Sequence, residues 1–249
     1  MSNAVVILPF LFDNEIQPLI GRLNETFIDY IVEPDINRIG PDMMYQKLWK
    51  KTDKDVIILH SDMMPLEEDS NNQWYTDLCN YAEKYPEAGI IGSKLLYPAK
   101  HEGKFIIQYA GGRFKEDGAP DHFGSGLDIG SNQVSKQLEL DTGQYDSVRE
   151  VAWATFGGIY LKRKLLEDVG DFDPNFEWSY NRDVDYCLTA RNKGYKIYQT
   201  PVTLLHYESR DVKRIRTQEL VDKEYRNLVK LKEKWGNSEL YKTIDIRIN

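Results

Sequence analysis

Cysteine is nearly absent from this chain of 249 residues: Cys79 and Cys187 are the only two, far apart in sequence. That count excludes a thiolate metal site, and free core thiols are the better reading over a disulfide. Long apolar runs are missing too; none approaches the roughly 20 residues a membrane span needs. Residues 5–10 are too short for the apolar core of a signal peptide and no basic segment precedes them, so the expectation is a cytoplasmic protein. Positive charge is in deficit, with 32 Lys and Arg against 40 Asp and Glu and a net charge of −8. A nucleic-acid or anionic-membrane partner held by general electrostatics is therefore disfavoured, although a local site can still bind an anion. No G-x-G-x-x-G follows the first strand and no G-x-x-x-x-G-K-[ST] occurs anywhere, which argues against dinucleotide and P-loop binding. Internal repeats and low-complexity tracts are absent as well.

What is present is an ordinary soluble composition, 41% apolar, unusually rich in Tyr (16) with 5 Trp. The length suits one large domain or two small ones. Residues 4–10 (AVVILPF) read as a short buried parallel strand stopped by Pro9. Asp13 and Asn14 are plausible caps for a helix with apolar positions Ile16, Leu19, Ile20 and Leu23, where Pro18 falls in the tolerated first turn. A second strand is expected over 27–32, a helix from Pro41 through Met44, Leu48 and Trp49, and a third strand over 55–60 (DVIILH). This β-α-β-α-β order implies a parallel sheet with right-handed crossovers. Ligands on such sheets bind beyond the carboxyl ends of the strands, so Pro9, Phe10, Asp35 and His60-Ser61-Asp62 should converge on one crevice. A helix over about 70–85 and strands over 89–93 and 105–114 follow. Residues 115–145 are rich in Gly, Asp and Ser with little periodicity, which reads as a functional loop. Residues 217–235 form an amphipathic packing helix through Leu220, Val221, Tyr225, Leu228 and Trp235.

The most informative stretch is 151–209. A β-branched and aromatic run broken by Gly157-Gly158 leads to a helix over 162–169, ended by Gly170. A turn-rich aromatic loop follows, then a helix with Asp183 and Asp185 in its first turn, then a strand ending at His206. Two carboxylates two positions apart on a helix face different ways, so one can enter a cleft while the other serves the scaffold. Carboxylates there also complement the helix dipole, so capping explains them without any chemistry.

The order GG-hydrophobics-K/R, V-G-x-F-D-x-x-F, D-V-D-x-C-L, G-Y, P and H-x-E-S resembles the family 2 inverting glycosyltransferases, especially rhamnosyltransferase- and galactofuranosyltransferase-like enzymes. The match covers about residues 5–208. It implies an α/β fold of the GT-A type with a mostly parallel central sheet. It also implies a catalytic domain over 1–215 (nucleotide-binding half 1–95, acceptor half 96–215) and a C-terminal helical extension over 216–249. The implied activity is inverting transfer from a nucleoside-diphosphate sugar, most naturally a UDP- or dTDP-sugar, to a glycan or lipid-linked acceptor.

The same resemblance supplies roles. Asp62 matches the second acid of an Asp-x-Asp motif that holds a divalent ion on the donor diphosphate, while His60 stands where the first acid would be. His206 completes the metal site, and an imidazole ligand tilts the choice between Mn²⁺ and Mg²⁺ toward Mn²⁺. Asp183 matches the general base, and Arg182 replaces the usual preceding Glu, where it can contact an acidic acceptor or the diphosphate. Asp35 and Arg38 fall in the region that reads the nucleotide base, and Asp35 serves equally as a loop carboxylate. Trp153, Trp178 and Tyr180 offer flat faces to an acceptor sugar, with core packing an equal account of Trp153. Gly157 and Gly158 allow close backbone approach, which a strand bulge explains equally. Two other classes stay open: a non-catalytic nucleotide-sugar or glycan binder, favoured by His60 and Arg182 in place of acids, and a nucleotidyltransferase, disfavoured because Leu11-Phe12-Asp13 is neither basic nor Gly-rich.

Overall fold

The computed structural model describes residues 4–124, 127–128, 133–134, 139–177, 180–207 and 217–248. Its first third alternates as expected: β1 (Ala4–Phe10), α1 (Asp13–Glu25), β2 (Tyr30–Pro34), α2 (Pro41–Trp49), β3 (Asp55–Ile58) and β4 (Met63–Pro65). Next come α3 (Gln73–Lys84), β5 (Ala88–His101), β6 (Lys104–Tyr109) and the short strands β7 (Gly112–Phe114), β8 (Pro120–His122), β9 (Leu127–Asp128) and β10 (Gln133–Val134). The chain continues through β11 (Arg149–Val151), β12 (Ile159–Leu161), α4 (Arg163–Val169), α5 (Arg182–Asn192), β13 (Lys196–His206), α6 (Gln218–Trp235) and β14 (Asp245–Arg247).

The main sheet has the order β14-β11-β13-β5-β12-β3-β1-β2, with β4 on β13 and β6 on β5. Along this path all strands but β11 and β12 run in one direction. β1 is buried along almost its whole length because it lies between β2 and β3, both parallel to it. Helix α1 turns Ile16, Leu19 and Leu23 inward, all fully buried, and α2 opens on Pro41 at its first helical position after Gly40.

Four expectations about elements change. β1 is not stopped by Pro9 but runs on to Phe10, paired only with β2 there, because its ladder with β3 ends at Ile7 opposite Ile58. The second strand starts at Tyr30, since Phe27 sits at φ 56 in a turn with its ring 93% exposed. β5 reaches to His101, well past the expected end at 93. Residues 115–145, read as a loop, include β8 and the β9–β10 hairpin among those described.

The C-terminal segment is tied into the same body. β14 closes the sheet edge on β11, and Leu231 and Trp235 of α6 belong to the main core. Cys79 and Cys187 are free and buried, as expected. No helix among the described residues is long and apolar enough to cross a membrane.

Candidate active site

The parallel direction of β1, β2, β3 and β13 brings Phe10, Pro34, the residues after Ile58, and His206 to one edge of the sheet. β12 runs the opposite way, so its leading residues Gly157 and Gly158 arrive at that same edge. Ile159 pairs with Ile58, and the Gly158 N–H donates to the Ile58 carbonyl at 3.0 Å. Strand register then joins two distant segments: His206 lies opposite Met63 in the β4–β13 ladder, and the Tyr207 N–H donates to the Asp62 carbonyl at 3.0 Å.

The result is a group of three potential ligands, His60, Asp62 and His206, whose donor atoms all lie within 4.8 Å of one another. His206 Nε2 is 3.3 Å from Asp62 Oδ1 and 3.3 Å from His60 Nδ1. Both contacts are long for a charge-assisted hydrogen bond, which runs about 2.7–2.9 Å. Ligand atoms about 2.1 Å from a common ion lie about 3.0–3.4 Å apart at octahedral to tetrahedral angles. The spacing and the N, O, N donor set therefore fit a divalent ion. Burial and the neighbouring His206 lower the His60 pKa to about 4, keeping the imidazole neutral with a lone pair to offer. Burial pushes the Asp62 carboxyl up, but the neighbouring His206 and His60 rings outweigh this, and its pKa falls to about 2.

His60 stands where the resemblance expects the first acid of the motif, and the fold makes it the third member of the group. Gly157 explains how it fits. A Cβ there would lie 2.4 Å from Met63 Cε and 3.0 Å from His60 Cε1, so the backbone occupies space a side chain would contest. Gly158 has φ +69, a conformation that favours glycine.

Helix α2 connects this group to the start of α5. Tyr45 stacks on His60 at 6.1 Å with an interplanar angle of 2°. Burial drives the Tyr45 hydroxyl pKa well up, and the charges of Asp42, Asp62 and Asp183 add to it. Asp42, one turn earlier on the same helix face, is raised to about 7 by burial, with Arg182 opposing and Asp183 adding. Arg182 is buried, lies 3.9 Å from Asp42 and stands 5.3 Å from the Phe172 ring centroid. Arg182 is not among the groups that shift the Asp183 carboxyl, which responds to burial and backbone N–H groups.

Asp183 and Asp185 part company as their spacing implies. The N-cap of α5 is Asn181, and Asp183 accepts the N–H of its neighbour Val184 at 2.9 Å. Burial raises the Asp183 pKa to about 6. Asp185 is 3% exposed and accepts from Trp235 Nε1 at 2.7 Å and from Lys234, tying α5 to α6.

Other expected residues land less centrally. Both oxygens of buried Asp35 accept backbone N–H groups, of Ile39 at 2.9 Å and Gly40 at 2.8 Å, so this carboxylate shapes the loop before α2. Arg38 is exposed with φ 51. Pro9 and Ser61 are buried, and Phe10 half-buried, at the strand ends. Trp153 is 4% exposed and donates its indole N–H to the Arg113 carbonyl at 3.0 Å, so its packing role prevails over stacking on a sugar. Tyr180 is 46% exposed. Trp178 lies outside the described residues.

Asn227 and Gln108 escaped the sequence reading. Fully buried on α6, Asn227 accepts from the Glu177 N–H and donates to the carbonyls of Glu177 and Tyr180, clamping the loop before α5. Gln108 meets His206 Nδ1 at 2.8 Å. Neither residue carries a local signal, because each acts on a distant segment. Two surface clefts of about 640 and 470 Å³ lie elsewhere, around Phe114, Lys115 and Thr243. Among the described residues they hold no comparable ligand group.

The architecture is the GT-A-type α/β fold. No protein-family model matches the chain, and no curated protein matches it. Solved structures do. GalNAc-T7, crystallised with UDP, GalNAc and Mn²⁺, superposes with a TM-score of 0.63 at 12% identity, over 96% of this chain and 49% of that one. The mannosyltransferase PcManGT from Pyrobaculum calidifontis, in complex with GDP-Man and Mn²⁺, gives 0.54 at 13% identity, over 92% and 64%. The chain thus spans about half the length of the first and under two thirds of the second.

Proposed function

We propose that this chain is a metal-assisted glycosyltransferase that moves a sugar, with inversion, from a nucleoside-diphosphate sugar to a hydroxyl of a glycan or lipid-linked acceptor. The observation that carries the reading is the His60–Asp62–His206 group at the carboxyl edge of a GT-A-type sheet, since that is where such sheets bind nucleotides. Solved structures of this fold hold UDP or GDP-Man together with Mn²⁺, which supports the same reading here. The three residues would hold Mn²⁺ or Mg²⁺, and the bound ion would neutralise charge on the departing diphosphate.

Asp183 is the base. It takes the proton of the acceptor hydroxyl as that oxygen bonds to the anomeric carbon and the bond to the diphosphate oxygen breaks. A single displacement inverts the centre and needs no enzyme nucleophile. With a pKa near 6, Asp183 is ionised at neutral pH yet more basic than an ordinary carboxylate. Arg182, held by Asp42 and Phe172, leaves that basicity intact. Pro9, Phe10 and the loop braced by Asp35, which carries Arg38, would frame a UDP- or dTDP-sugar, and Tyr180 would face the acceptor.

Release of nucleoside diphosphate from a panel of nucleotide sugars, with Mn²⁺ and with chelator, tests this. The expected result is turnover of at least one sugar that needs metal and acceptor. Saturable binding without turnover across the panel would point to a non-catalytic nucleotide-sugar binder, and neither binding nor turnover would remove the reading altogether.

A further inference from the structure

Gln108 belongs to no expected motif, yet it is 6% exposed with its Oε1 2.8 Å from His206 Nδ1. Its place on the strand is unusual. β6 pairs antiparallel with β5, Tyr109 opposite Leu95 and Ile107 opposite Leu96. Gln108 is the extra residue between them, left without a partner across the ladder. A bulge of this kind re-aims a side chain. The strand around it is firmly held: Ile107 and Ala110 pack with Leu96 and Leu205, the residue before His206. The Tyr109 hydroxyl donates to the Trp153 carbonyl at 3.2 Å.

A ring nitrogen binds metal only with its lone pair free, and the hydrogen bond at the other nitrogen decides which one that is. A carbonyl oxygen accepts, so Nδ1 of His206 must carry the proton and donate it to Gln108. The lone pair then resides on Nε2, the atom that faces Asp62 and His60. With the opposite tautomer, His206 would turn its lone pair toward Gln108 and an N–H toward the ion.

We infer that Gln108, set on the β6 bulge, is the positioning residue that fixes the tautomer and orientation of His206 and so sets the affinity of the His60–Asp62–His206 group for a divalent ion. It touches neither donor nor acceptor in this account and acts only through His206. The inference rests on the metal reading above, but half of its test needs no metal.

Two substitutions separate acceptor from filler: Gln108→Glu keeps an oxygen at this position, and Gln108→Met keeps the shape without one. In metal-free protein, ¹H–¹⁵N spectra of the histidine rings should show a slowly exchanging Nδ1–H at His206 in the wild type and in Gln108→Glu. It should be lost in Gln108→Met, with unchanged circular dichroism confirming the fold. In calorimetric titration of Mn²⁺ alone, Gln108→Met should bind about 10–100-fold more weakly, the usual cost of losing such a partner. Gln108→Glu should match or exceed the wild type. No protected Nδ1–H in the wild type, or equal losses in both variants, would overturn the inference. Absence of Mn²⁺ binding to the wild type would sink the metal reading instead, while the ring spectra would still decide the role of Gln108.

Discussion

Replacing Asp183 with Asn should stabilise the protein at neutral pH while abolishing transfer, and the structure supplies both magnitudes. Burial lifts this carboxyl from 3.8 to about 6, so its ionised form is disfavoured in the fold. At 1.36 kcal/mol per pKa unit, that is a cost of about 2–3 kcal/mol once the group is ionised in both states. The sign follows from the raised value: no cost below pH 3.8, a cost growing as pH rises to about 6, and the full cost above. Asn carries no charge to desolvate, and the local bonds at stake come from backbone N–H groups, that of Val184 among them, which an amide oxygen can also accept. Urea denaturation at pH 8 should therefore show Asp183→Asn more stable by up to about 2–3 kcal/mol, with the gain vanishing near pH 3.5. The same variant should lose about 10²–10⁴-fold in transfer, the usual contribution of a general base, while still binding donor. For the wild type, the rate should fall about tenfold per pH unit below the Asp183 pKa. Transfer within a few-fold of wild type, or a loss of stability at pH 8, would refute the reasoning.

Two further expectations follow from neighbouring geometry. Asp185→Ala leaves the Trp235 indole N–H and Lys234 without their buried partner, so stability should fall by about 2–4 kcal/mol in urea while donor KM changes little; a severe kinetic defect with intact stability would mean that the two acids have exchanged roles. Gly157→Ala places a methyl 2.4 Å from Met63 Cε and 3.0 Å from His60 Cε1. The methionine end can move, so Mn²⁺ affinity should drop several-fold with little change in Tm, and an unchanged calorimetric affinity would contradict the close packing of His60.

The opening alternation and the end of α4 were legible because their signals are local: a continuous apolar run in β1, Pro41 starting α2 and Gly170 ending α4. Strand order was not, since nothing in residues 159–161 announces that β12 enters the sheet against the direction of both neighbours, or in 245–247 that β14 will close its edge. Phe27 misled because an aromatic ring suggests a strand by composition, whereas its φ of 56 is set by the turn after α1. At the site, Asp62, His206 and Asp183 were picked out by the family resemblance, since a polar strand end, a lone His and a helix-capping Asp carry no role by themselves. His60 required knowledge that Gly157 would yield it space, and Asn227 and Gln108 act through partners far along the chain.

The most direct test of the account is a Mn²⁺ titration in the presence of UDP, comparing wild type with Asp62→Ala and His206→Ala. The account predicts one Mn²⁺ per chain in the wild type, binding more tightly with UDP than without, and loss of that site in both variants with the fold retained. Equal Mn²⁺ affinity in all three proteins would contradict it.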